Sequence, residues 1–123
     1  MKVFVYGTLR KGLAWHSLIK NSEFIGEAKT KDKYCLYAEN IPFLFKDEEV
    51  SKIKGEVYEV DELTLKNLDK LEGHPNWYYR EEVSIILNTE KEIIAWVYFY
   101  PKPCGKKIIS GDFLDYISSN ISN

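Results

Sequence analysis

Two runs rich in β-branched and aromatic residues, 78–87 and 92–100, stand either side of Asn88-Thr89-Glu90-Lys91, and they commit this part of the chain to an antiparallel hairpin. In the second run Trp96, Tyr98 and Tyr100 alternate with Ala95, Val97 and Phe99, so both faces of that strand are apolar. One face is core. The other is either more core or the wall of a pocket, which makes Tyr98 a candidate ligand-binding residue. The N-terminus has the same two-sided character: Val3 and Val5 fall on one face, Phe4 and Tyr6 on the other, as expected of a strand covered on both sides.

Residues 23–30, 33–38 and 52–60 read as further strands, and Ile41-Pro42-Phe43 as a loop or edge segment, because proline cannot donate to a ladder. Asp61 is placed to cap a helix over 62–72, with Glu62 in its first turn, Leu65, Leu68 and Leu71 at helical spacing, and Gly73 to stop it. A short helix is expected over 14–20. A last one opens at Gly111-Asp112 with Phe113, Leu114 and Ile117 as its apolar stripe. Six or seven strands with two or three short helices give an α+β domain whose largely antiparallel sheet curls toward a barrel. With 123 residues the whole chain, 1–123, is expected to be one domain.

A net charge of -2, from 17 basic and 19 acidic residues, offers no electrostatic footprint for nucleic acid or an anionic membrane. No stretch approaches the roughly 20 apolar residues of a membrane span, and the apolar run after Lys2 breaks at Gly7, too soon for a signal peptide. A cytoplasmic protein with a small-molecule ligand is expected. Cys35 reads as core and Cys104 as incidental, since a single bridge would be unusual in such a chain. His16 and His74 fit no metal-ligand spacing, and neither a phosphate-binding loop nor a G-x-S-x-G elbow is present. Chemistry here is expected without metal or cofactor, from carboxylates, tyrosines and backbone amides.

The turn after the first strand offers such amides. Gly7 is expected to take positive φ, leaving the N–H groups of Gly7, Thr8 and Leu9 without sheet partners and free to meet a ligand oxygen. An ordinary strand end with a turn reads the same way. Glu72 is the candidate carboxylate: it ends the 62–72 helix, near unsatisfied carbonyls, and burial under Trp77 or Tyr78 would add to that field in raising its pKa. A solvated glutamate at a helix end is the plainer alternative. Glu81 and Glu82 are expected at an edge or in solvent, and Arg80 as a structural partner of a nearby carboxylate.

Tyr6-Gly7-Thr8-Leu9-Arg10 is followed by Asn40-Ile41-Pro42-Phe43-Leu44, Gly55-Glu56-Val57-Tyr58-Glu59-Val60-Asp61 and Leu68-Asp69-Lys70-Leu71-Glu72, then Pro75 and Tyr78-x-Arg80. In that order and spacing the chain resembles the gamma-glutamylcyclotransferase (AIG2-like) family, most closely its gamma-glutamylamine branch. The resemblance implies a small mixed barrel flanked by helices with a pocket at one mouth. It also implies a reaction in which the α-amine of a γ-glutamyl compound attacks its own γ-carbonyl, giving 5-oxoproline and a free amine. Glu72 matches the family's general acid/base, and Tyr6, Gly7, Thr8 and Leu9 would grip the glutamyl end. Gly73-His74 departs from the Ser-Cys of the animal enzymes, and with so short a tail no C-terminal lid is expected. A non-catalytic binding module of the same fold, or a structural protein, is the rival reading.

Overall fold

The computed structural model describes residues 1–121. Its strands are β1 (Lys2–Val5), β2 (Glu23–Thr30), β3 (Cys35–Glu39), β4 (Ile41–Phe45), β5 (Lys54–Glu59), β6 (Tyr79–Leu87), β7 (Glu92–Phe99) and β8 (Lys106–Ile108), with helices α1 (Glu62–Glu72) and α2 (Phe113–Ile121). Five of the strands close a barrel in the order β1-β5-β2-β6-β7. Its seam is parallel, Val3 against Trp96, and the other pairings are antiparallel. The expected hairpin is β6–β7, running in register from Tyr79↔Phe99 to Ile86↔Glu92. Strands β4, β3 and β8 form a separate three-stranded sheet.

The two faces of β1 explain its position. Phe4 packs in one cluster with Val57, Val97, Phe99 and Ile85, while Val3 and Val5 join Tyr58, Val60, Leu65 and Leu68 in a second. Helix α1 therefore lies against the face that carries Val3 and Val5. Leu68 is fully buried there, and truncating it to alanine would cost about 2–5 kcal/mol. The helix begins where Asp61 accepts a hydrogen bond from the Thr64 amide at 2.7 Å and ends at Gly73, which has φ 64° in the left-handed region.

Three expectations change. Residues 14–20 form only a single 3-10 turn, His16–Leu18, because Ile19 alone of that stretch is buried and no apolar stripe sustains a longer helix. Residues 41–45 form a regular strand, which Pro42 permits because β4 lies at the edge of its sheet. Strand β8 went unforeseen; it is three residues long, two of them lysines, and exists through its pairing with β3, Leu36 opposite Ile108. Cys35 is buried, Cys104 partly so, and both are free thiols.

Candidate active site

Where β1 ends, the chain turns over residues 7–10, closed by a bond from the Arg10 amide to the Gly7 carbonyl at 2.9 Å. Gly7 does not take the expected positive φ. It is required by proximity instead: a Cβ at this position would lie 2.2 Å from Pro42 Cγ, so the turn packs directly on β4. Beneath the turn, Arg10 is buried and ion-paired to Glu56 at 3.2 Å and to Asp112 at 2.8 Å. Glu56 also accepts from the Lys11 amide at 2.9 Å and the Tyr58 hydroxyl at 2.8 Å. This network holds the loop while the N–H groups of Gly7, Thr8 and Leu9 make no hydrogen bond among the described residues.

Those residues line a cavity of about 270 Å³ together with Tyr6, Glu72 and Tyr98, so all six candidate site residues meet at one place. Glu72 arrives from the end of α1, where Gly73 reverses the chain and the Tyr78 amide returns to the Glu72 carbonyl at 3.0 Å. Tyr78 in turn donates to the Pro42 carbonyl at 2.6 Å, tying β4 to the same wall. Trp15 and Trp77 stand on the cavity wall while still about half exposed.

The Glu72 carboxylate has no ion-pair or hydrogen-bond partner among the described residues, and burial pushes its pKa from 4.5 to about 7. Burial, one of the two causes expected from the sequence, drives this shift. Tyr6, Tyr78 and Tyr98 are each held above the ordinary tyrosine range, first by burial, and then by the charge of Glu72 at Tyr6 and Tyr78 and by the hydrogen bond to Asp69 at Tyr98. All three stay protonated as donors at neutral pH. Tyr6 gives its hydroxyl proton to the Tyr98 carbonyl at 2.6 Å, and Tyr98 gives its own to Asp69 Oδ1 at 2.6 Å.

Asp69 was not foreseen. Burial works to raise its pKa, but the hydrogen bonds from Arg80 and Tyr98 outweigh it and hold the carboxyl below its usual range. Arg80 grips it with Nε at 2.8 Å and the second nitrogen at 3.2 Å, which makes Arg80 the structural partner expected from the sequence. The i, i+3 spacing of Asp69 and Glu72 was the available signal. Glu81 pairs with Lys46 at 2.7 Å and Glu82 is exposed, so neither enters the cavity. Among the described residues no three His, Cys, Asp or Glu side chains converge as a metal site, and no helix is long and apolar enough to cross a membrane.

The mixed five-stranded barrel with two short helices is that of the crystal structure of an uncharacterised protein from Pyrococcus horikoshii, with a TM-score of 0.82 at 35% identity, covering 100% of this chain and 98% of that one. Residues 3–115 match the family model "Gamma-glutamyl cyclotransferase, AIG2-like". A "putative gamma-glutamylcyclotransferase" of Methanocaldococcus jannaschii is 58% identical over 115 residues, 93% of this chain and 96% of that protein. A zebrafish (Danio rerio) "Gamma-glutamylaminecyclotransferase C" is 41% identical over 92 residues, 68% of this chain and 60% of that protein. The chain belongs to the gamma-glutamylcyclotransferase, AIG2-like, family.

Proposed function

We propose that this protein converts a γ-glutamyl amine to 5-oxoproline and a free amine. The observation that carries the reading is Glu72, a half-buried carboxylate with no partner among the described residues and a pKa of about 7, in a cavity shared with three amides that make no hydrogen bond there. The amides of Gly7, Thr8 and Leu9 receive the α-carboxylate and fold the substrate so that its α-nitrogen faces its own γ-carbonyl. Such an arrangement of intramolecular reactants is worth on the order of 7–11 kcal/mol of barrier. A carbon–nitrogen bond forms from the α-nitrogen to the γ-carbon, and the bond from that carbon to the leaving nitrogen breaks. Two protons leave the α-ammonium in turn, and both end on the departing amine. Glu72 relays them, since a base with pKa near neutrality can both accept and return a proton. No enzyme nucleophile takes part.

The amine, rather than amino-acid, branch is supported by the Tyr-Gly-Thr-Leu-Arg turn and by the similarity to the zebrafish gamma-glutamylamine enzyme, whereas the M. jannaschii relative carries the broader name. Incubation with γ-glutamyl amides, with 5-oxoproline followed by mass spectrometry, tests the reading. Product is expected with the native protein and about 100-fold less with Glu72→Gln. Equal product from both would remove Glu72 from the reaction.

A further inference from the structure

Once the glutamyl end is seated, the rest of the cavity wall has a definite chemistry. Among the described residues, no lining side chain apart from Glu72 carries a charge. The neighbouring cations are already committed, Arg10 to Glu56 and Asp112, and Arg80 to Asp69. The wall left for the departing amine includes Trp15, Trp77, Ile41, Leu71 and Pro42, all without charge. Trp15 is 47% exposed and Trp77 46%, so two large aromatic side chains on the wall still face water.

Neither tryptophan hangs on a loose loop. The Trp15 amide donates to the Thr8 carbonyl at 2.9 Å, which fixes Trp15 to the amide turn. The Trp77 amide donates to the Gly73 carbonyl at 2.8 Å, and Trp77 Cβ lies only 2.9 Å from where a Cβ on Gly73 would stand. The missing side chain at Gly73 thus lets Trp77 pack against the residue that follows Glu72. One tryptophan is tied to the element that holds the glutamyl carboxylate, the other to the element that supplies the proton relay.

We infer that Trp15 and Trp77 form a subsite for an uncharged, apolar and preferably aromatic amine, so that the substrates are γ-glutamyl amides of alkyl- or arylalkylamines. This rests on the cyclisation reading above. An amino acid or dipeptide as the departing group would bring a carboxylate with no cation to meet it. A diamine would bring a second ammonium whose sole counter-charge, Glu72, is already engaged with the α-ammonium. An apolar group instead covers the exposed indoles, a gain of about threefold to fourfold in kcat/KM for each methylene buried.

The test is the native protein acting on γ-glutamyl methylamide, butylamide and phenethylamide, beside γ-glutamylalanine and the γ-glutamyl amide of 1,4-diaminobutane, with kcat/KM read from 5-oxoproline formation. A rise of about tenfold or more from methylamide to phenethylamide is expected, with the two charged compounds at or below the methylamide. In Trp15→Ala and Trp77→Ala the phenethylamide-to-methylamide ratio falls toward one. Equal turnover of all five, or preference for a charged group, overturns the subsite and leaves cyclisation standing. No 5-oxoproline from any of them overturns the cyclisation reading, and this inference with it.

Discussion

The hydroxyl of Tyr98 donates to Asp69 Oδ1 at 2.6 Å, and through that bond strand β7 grips the last turn of α1 three residues before Glu72. The same tyrosine accepts at its backbone carbonyl from the Tyr6 hydroxyl at 2.6 Å. One residue therefore joins the end of β1, which delivers the open amides, to the end of α1, which delivers the carboxylate. Arg80 completes the clamp from β6, with its guanidinium 4.2 Å from the centre of the Trp96 ring.

The clamp has a testable energetic order. Tyr98→Phe removes one hydrogen bond to a charged acceptor that keeps its Arg80 fork, and should cost about 1–2 kcal/mol. Asp69→Asn leaves Arg80 partly buried without its counter-charge, and should cost about 2–3 kcal/mol. Because the folded pKa of Asp69 lies below its unfolded value, its contribution is present above the unfolded value and lost as pH falls through the folded one. Urea titrations should show the gap between native protein and Asp69→Asn narrowing below about pH 4. A gap independent of pH would contradict the ion pair.

Gly7→Ala forces a Cβ to within 2.2 Å of Pro42 Cγ, so the turn or β4 must shift. Destabilisation of about 1–3 kcal/mol is expected, together with a higher KM as the amides move. Since the obstacle is one proline ring carbon, Pro42→Ala in the same chain should restore part of both losses. If the second substitution restores nothing, the close approach is not what demands glycine at residue 7.

The sequence disclosed those parts of the site that depend on local pattern. The 62–72 helix was readable to the residue, because Asp61, the leucine spacing and Gly73 are all local signals. Alternation along β7 leaves the Tyr98 face as either core or pocket wall, and Tyr98 lines the cavity. What stayed hidden was set by contacts distant along the chain: Pro42 against Gly7, Tyr98 against Asp69, and two tryptophans brought to one cavity from the segments that follow β1 and α1. Gly7 is the instructive miss, since a glycine before a turn suggests positive φ, and only the packing of β4 reveals the real constraint.

Glu72 should make the protein less stable as the pH rises. Its pKa is raised from 4.5 to about 7, so between those values the folded state holds a proton that the unfolded state has released. Stability falls across that window, and above it the full cost of ionising this half-buried carboxylate is carried. Glu72→Gln removes this dependence. Urea titrations should show little difference between the two proteins at pH 4, and the variant more stable by about 1–3 kcal/mol at pH 8, the larger value being reduced by the solvent at the cavity mouth. Equal stability at pH 8 would mean that the carboxylate is solvated in the folded state.

The same ionisation should govern turnover, with the opposite benefit. Glu72 must be ionised to take a proton from the α-ammonium, so kcat/KM should rise tenfold per pH unit below about 7 and level above it, until the substrate ammonium begins to lose its own proton. The limb belongs to the free protein, and it lies well above where an ordinary glutamate would put it. In Glu72→Gln the residual rate should lack this limb and keep only the dependence due to the substrate. Rate and stability should thus trade against each other through one carboxylate, the rate gaining over the interval in which stability is lost. A native rate already flat between pH 5 and 7, with 5-oxoproline still forming, would assign the proton relay to another group and leave Glu72 as a cavity carboxylate without a task.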